Sequence, residues 1–245
     1  MEINRFVGID GCRSGWMAVT LSIDGDWKTR VYAELNELWR EHGEAELLLI
    51  DMPIGLPSTK TSVRSCDKEA RQLLRPKRAA SIFPAPIREL LEVSSYPEAN
   101  ALSKQLTFRG LSKQTWNIIA KIRELDQLLQ LNQTARQKIC ESHPELCFSA
   151  MSGSPMQYNK QTETGYEERI QLLGQLYPQA RTIVDQTLEA YPRKAVARDD
   201  VVDALVLAVS ALLNRGEMLA VPTVMERDET GLPMQIVYGS KSLIV

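Results

Sequence analysis

Four aspartates occupy places where charge is hard to explain as decoration. Asp10 closes the apolar run "RFVGI" just before "GCRSGW", and Asp51 closes the unbroken run "ELLLI". Asp200 and Asp203 head the apolar stretch "VVDALVLAVSALL". Removing a carboxylate from water is costly unless it is paired or binds a metal. Each acid alone reads equally as a turn or surface aspartate. A metal site requires that they converge.

The spacing allows convergence. Asp200, Asp203, Ser210 and Asn214 follow steps of three, seven and four, which keeps them on one stripe of a helix whose other faces are apolar. Asp200 and Asp203 then project side by side, about 5–6 Å apart at Cβ. Two carboxylates about 4 Å apart repel by roughly 4 kcal/mol at an effective dielectric of 20, and a cation removes that penalty. A capping reading is also open: Asp199 or Asp200 as N-cap, with Asp203 in a capping-box-like position favoured by the helix dipole. On the strands, Asp10 and Asp51 lie at carboxyl ends, where open α/β sheets gather their sites. Neighbouring strands run about 4.8 Å apart, so these two acids could share an ion.

Other candidates are weaker alone. In "ESHPE", Glu141 and His143 share one face of a strand by two-residue alternation. Glu141 could extend the acidic cluster and His143 could move protons near neutral pH, with Glu145 as a further acid. Alternatively His143-Pro144 merely ends the strand. Residues 64–88 hold seven cations (Arg64, Lys68, Arg71, Arg75, Lys77, Arg78 and Arg88) against Asp67 and Glu69. Lys68, Arg71 and Arg75 fall at helical spacing, and "RPKRAASIFPAP" follows as an extended loop with Phe83. Arg71, Arg75, Lys77 and Arg78 therefore form a candidate phosphate-binding surface with salt-sensitive affinity, or a solvated helix face. "GIDG" with Gly15 matches neither a dinucleotide-binding glycine pattern nor a P-loop.

These residues must be positioned by an alternating chain. Strands are predicted over 5–9, 16–23 and 27–35, the last two joined by the Asp-Gly turn at 24–26, giving an antiparallel meander. A short helix follows from 35 to Gly43, then a strand over 46–51 whose continuous apolar character suits burial on both faces. From about 58 to 137 the pattern is a mostly helical insertion, with Ser95 and Ser112 as N-caps. Trp116, Ile119, Ile122, Leu125 and Leu128 or Leu129 mark a core-facing helical stripe. A strand over 137–145 ended by Pro144 follows, then helices broken near Pro178, an apolar helix from about 200 to 214, and a last strand in "PMQIVYG". The alternation argues for an α/β layered sheet in one domain spanning 1–245, with the fourth and fifth strands parallel to the first.

Bulk properties exclude several classes. With 245 residues, 44% hydrophobic and 24% charged, the chain can bury a full core without staples. A net charge of −2 gives no global basic field. The four cysteines lack zinc-ligand spacing. No signal peptide and no membrane-length apolar run is evident, so a cytoplasmic location with free thiols and no membrane partner is expected.

The meander, helix, strand and late acidic helix resemble the ribonuclease H-like fold, a mixed sheet with flanking helices. "DVVDALVLAV" is similar to the last acidic helix of Holliday-junction resolvases. "VGIDGCRSGW", "LLIDMPIGLP", "SIFPAP", "GLSKQTWNIIAKIRELD", "ESHPE" and "DDVVDAL" together resemble the family called domain of unknown function four-two-nine, regarded as predicted nucleases of that fold. The resemblance implies that Asp10, Asp51, Asp200 and Asp203 hold two Mg²⁺ or Mn²⁺ ions, for which oxygen ligands are suited. Such ions support hydrolysis of a nucleic-acid phosphodiester without a covalent intermediate. With Glu141, these acids form the expected catalytic set. Two rivals stand beside this: a catalytically silent scaffold, and an actin- or sugar-kinase-like phosphotransferase. The second is disfavoured because neither the opening motif nor the meander repeats.

Overall fold

Apolar residues on both faces of consecutive strands dictate a sheet buried between two helical layers. The computed structural model describes residues 4–60 and 63–240. Strands β1 (Arg5–Cys12), β2 (Gly15–Ser22) and β3 (Trp27–Tyr32) form the meander, followed by α1 (Leu35–His42) and β4 (Leu47–Ile50). The region after β4 contains α2 (Ser65–Leu73), 3-10 turns at Ala79–Ser81 and Arg88–Glu92, α3 (Tyr96–Thr107), α4 (Lys113–Leu131) and α5 (Gln133–Lys138). Ser95 and Ser112 cap α3 and α4 through Glu98 N and Thr115 N, as expected from sequence. Then come β5 (Ile139–Glu141), α6 (Pro144–Ser152), α7 (Glu163–Leu176), α8 (Ala180–Ala190), α9 (Arg198–Leu213), β6 (Leu219–Arg227) and β7 (Pro233–Tyr238).

Among the described residues the main sheet has the order β3-β2-β1-β4-β5. β1 pairs antiparallel with β2 and parallel with β4, and β5 is parallel to β4. No helix among the described residues is long and apolar enough to cross a membrane, and Cys12, Cys66, Cys140 and Cys147 are free thiols.

Three elements depart from expectation. The fifth strand covers only 139–141, because residues 133–138 complete a helical turn capped by Asn132. Pro144 begins α6 instead of ending the strand: proline tolerates the first helical turn, where its missing N–H is not needed. β6 was not anticipated; Pro222 interrupts "LAVPTVMER", and among the described residues its strand pairs with β7 alone in a separate two-stranded sheet.

The strand alternation decides which face each acid takes. Phe6 and Cys12 of β1, with Leu47 and Leu49 of β4, belong to the apolar cluster formed with α6 to α9. Val7, Ile9, Leu48 and Ile50 belong to the opposite cluster, with α1 and α4. The two-residue period therefore turns Asp10 and Asp51 toward the α9 layer. Ile9 is paired in register with Ile50, and Asp51 N donates to Ile9 O at 2.9 Å, so the two aspartates leave adjacent strands side by side.

Gly8 sets how close α9 can come. A Cβ there would lie 1.9 Å from Ala204 O and 2.4 Å from Ala208 N. Helix backbone thus rests directly on β1, one residue beyond Asp203. Gly8→Ala is expected to cost about 3 kcal/mol, a fall of roughly 6–12 °C in Tm, because backbone cannot rotate away from the clash. Gly174→Ala, where an added Cβ meets nothing within 4 Å, is the control and should melt no lower than wild type in the same thermal scan.

Candidate functional site

At the carboxyl ends of β1 and β4 the two strand aspartates meet Asp203 in the second turn of α9. One carboxylate oxygen from each of Asp10, Asp51 and Asp203 lies within 4.8 Å of the others. Asp203 is only 2% exposed and Asp10 9%. Asp10 Oδ1 accepts from Gly11 N at 2.7 Å, fixing its rotamer. The group borders a cavity of about 590 Å³ walled by the start of α6, the Asn159–Gln161 loop, one face of α4 and the segment from Lys77 to Phe83.

Three ionised carboxylates at this spacing repel by roughly 3.5 kcal/mol per pair at an effective dielectric of 20. The electrostatics register this. Burial, then the charges of Asp51 and Asp203, push the Asp10 carboxyl well above the ordinary range. Burial and Asp203 push Asp51 up to about 7. Lys160 counters in part: its Nζ donates to Asp203 Oδ2 and lies 3.9 Å from Asp199. Burial lowers the Lys160 pKa, but Asp203 and Asp10 outweigh that and hold it above the usual value.

Asp200 borders the cavity but stands outside the close trio. Its Oδ2 accepts from Ala197 N at 2.8 Å, so it serves as the third helical residue closing back on the N-cap. The N-cap is Ala197, neither Asp199 nor Asp200. Burial raises the Asp200 carboxyl to about 6. The polar stripe has two jobs. Asp203 belongs to the site, whereas Ser210 Oγ and Asn214 Oδ1 accept from Gly239 N and Ser240 N and tie down the chain after β7.

Glu141 also borders the cavity, yet the structure separates it from the trio. It is in register with Ile50, hence on the other face of the sheet. Its Oε2 accepts from Ile54 N at 2.6 Å and from the Arg64 guanidinium, which also holds Asp67 at 3.2 Å. Burial, opposed by Arg64, leaves its carboxyl near 8. His143 caps α6, its Nδ1 accepting from Glu145 N at 3.2 Å, and burial depresses its pKa. Glu145 is 5% exposed; Oε1 accepts from Arg169, while Oε2 has no hydrogen-bond partner among the described residues.

The basic candidates split. α2 ends at Leu73, so Arg75 lies beyond it and the helical spacing with Lys68 and Arg71 does not persist. Pro76 explains this, because a residue preceding proline avoids the helical region. Lys77 and Arg78 border the cavity. Arg71 Nε donates to Ile82 O and Arg78 Nε to Met156 O, so both also brace loops. Arg75 is exposed and is not among the lining residues described.

Sequence reasoning missed Lys160 and Lys121. Lys121 Nζ donates to Gly15 O and lies 4.6 Å from the centre of the Trp16 ring, and the lysine borders the cavity beside Asp10 and Gly11. Lys160 stands in none of the quoted motifs, and Lys121 lies in "GLSKQTWNIIAKIRELD", which reads as a core-facing stripe. The signal available was indirect: converging acids need a counter-charge.

No curated protein and no solved structure matches this chain. A family model does, over residues 8–227, a span that opens two residues before Asp10 and takes in β4, the insertion and all of α9; the chain belongs to the family described as protein of unknown function DUF429.

Proposed function

We propose that the chain is a divalent-metal-dependent nuclease with a ribonuclease H-like arrangement of strands, hydrolysing phosphodiester bonds in nucleic acid. The observation that carries this reading is the meeting of Asp10, Asp51 and Asp203, from three separate elements, within 4.8 Å. The donor set fits a hard cation. Ion–oxygen distances of about 2.0–2.6 Å place ligand oxygens up to roughly 4–5 Å apart across the ion, so little movement is needed. Lys160 offsets one of three negative charges, leaving a deficit that one divalent cation would balance. Asp200 and the unpartnered Oε2 of Glu145 are the oxygens at hand for a second.

A bound Mg²⁺ or Mn²⁺ would polarise a phosphoryl oxygen and lower the pKa of an attacking water. The protein's own groups supply the rest. Asp10 is held by Gly11 N, and Asp203 by the close seating of α9 on Gly8, so both acids are oriented in advance. Lys160, already paired with Asp203, can turn its ammonium to a phosphate once the acids are neutralised. Lys77, Arg78 and Lys121 line the same cavity and offer positive charge to the phosphate. His143, with Nδ1 occupied as an acceptor, keeps the proton on Nε2, where the Ser81 backbone is its hydrogen-bond partner.

The test is a Mg²⁺ and Mn²⁺ titration of chelator-treated protein followed by thermal melting, with cleavage assays on single-stranded, duplex, branched and hybrid substrates. An ion at a hundred times its dissociation constant stabilises the folded state by about 2.7 kcal/mol, a rise of roughly 5–10 °C. A melting temperature indifferent to both ions, with no substrate cut, overturns the reading in favour of a scaffold.

A further inference from the structure

The walls of the cavity say more about the substrate than its acidic floor does. The volume of about 590 Å³ equals a sphere roughly 10 Å across and lies within the roughly 300–1,000 Å³ of sites that enclose a small molecule. The major groove alone of a B-form duplex is about 12 Å wide. Because Asp203 and Asp10 are almost fully buried, a reacting phosphate must enter the cavity; a duplex lying across the mouth would not deliver one.

The lining is divided by chemistry. Acids lie at the strand ends, and Lys77, Arg78 and Lys121 provide positive charge. Phe83, half-buried after the 3-10 turn at 79–81, and Ile118 on α4 supply an apolar surface. On α4, Gln114, Ile118 and Lys121 recur at helical spacing and present an amide, an aliphatic chain and an ammonium to one space. Carboxylates that grip a cation, cations that grip a phosphate and an aromatic ring beside them match the three parts of a nucleotide.

We infer that the cavity admits one nucleoside-phosphate unit, either a free nucleotide or an unstacked nucleotide of a single strand, with its base against Phe83. This rests on the metal-dependent nuclease reading and narrows its substrate class. Duplex would be used only where it frays or where a base is extruded.

The inference is tested by calorimetric binding in Ca²⁺, chosen to hold ligand without turnover. The probes are inorganic phosphate, adenosine monophosphate, a linear oligothymidylate, its circular form and a blunt duplex of equal length. Wild type should bind the nucleotide and the linear strand at least ten-fold more tightly than the duplex. Phe83→Ala should weaken nucleotide and single strand about ten-fold and leave inorganic phosphate unchanged, with Phe83→Trp retaining affinity. A linear strand tighter than its circle identifies a chain end as the ligand; a free nucleotide as tight as the strand identifies the nucleotide itself. Either supports the inference. Duplex bound as tightly as single strand, or Phe83→Ala weakening phosphate equally, overturns it. The two readings fail separately. Phe83-dependent nucleotide binding with no cleavage of any substrate removes the nuclease and leaves this site, whereas internal duplex cleavage indifferent to Phe83 does the reverse.

Discussion

Asp10→Asn is expected to abolish metal-dependent cleavage, by at least 10³-fold, while making the metal-free protein more stable. The opposite signs come from one cause. Asp10 is 9% exposed and shares its space with two further carboxylates, with Lys160 on Asp203 and Lys121 on the same cavity wall as the nearby cations. An amide removes one buried charge and both repulsions it makes, each roughly 3.5 kcal/mol for ionised groups 4.8 Å apart at an effective dielectric of 20. The alternative open to wild type, taking up a proton at pH 7, costs up to about 4 kcal/mol for a carboxyl of ordinary pKa 3.9. The variant avoids both costs and keeps its bond, because the amide oxygen still accepts from Gly11 N. It also loses an anionic ligand, so the rise in Tm caused by Mn²⁺ should disappear. Glu141→Gln gives the contrast. It removes one of the two carboxylates that hold buried Arg64, leaving Asp67, and should cost about 1–3 kcal/mol, yet retain the Mn²⁺-induced rise, because Glu141 lies on the other face of the sheet. An Asp10→Asn protein that melts lower in chelator, or still responds to Mn²⁺, would remove Asp10 from the centre.

How much of this was legible follows from what repeats in a chain and what does not. Alternation along β1 and β4 and the apolar helix α9 carry strong periodic signals, and these elements place Asp10, Asp51 and Asp203. Their meeting depended on the two strands being neighbours, which the helical connection between them favoured. Asp200 was harder: its stripe position and its capping position are the same position, and only the bond to Ala197 N separates the trio from its neighbour. Whether Glu141 extends the acidic cluster was left open by the sequence, because alternation reveals which residues share a face, not which face the strand turns to α9. Register with Ile50 decides that. β6 was invisible because proline reads against a strand and the strand it pairs with, β7, comes after it in the chain. Lys160 lies in a polar loop where no period exists, so a tertiary contact alone identifies it.

The same burial makes stability respond to pH in a direction opposite to ordinary acid unfolding. A carboxyl raised in the folded state binds more protons folded than unfolded between its two pKa values, so stability falls as pH rises through that window. For Asp51, ordinarily 3.8 and about 7 here, the window runs from about 4 to 7, and the loss reaches at most about 4 kcal/mol. Asp200, near 6, and Asp10, raised further, add in the same direction. His42 limits the gain at the acid side. Buried against Tyr32 Oη at 2.8 Å, it is depressed to about 4, so protonating the unfolded chain below 6.5 draws stability down as pH falls toward 4. Metal-free protein should therefore be more stable at pH 5–6 than at pH 8. A divalent ion binds the ionised trio and expels protons, so its stabilising effect must grow with pH. Urea unfolding at pH 5, 6, 7 and 8, with chelator and with millimolar Mn²⁺, reads both effects. The curves should nearly meet at pH 5 and separate by several kcal/mol at pH 8. Parallel curves would mean that Mn²⁺ binds where no proton is displaced, away from these buried acids.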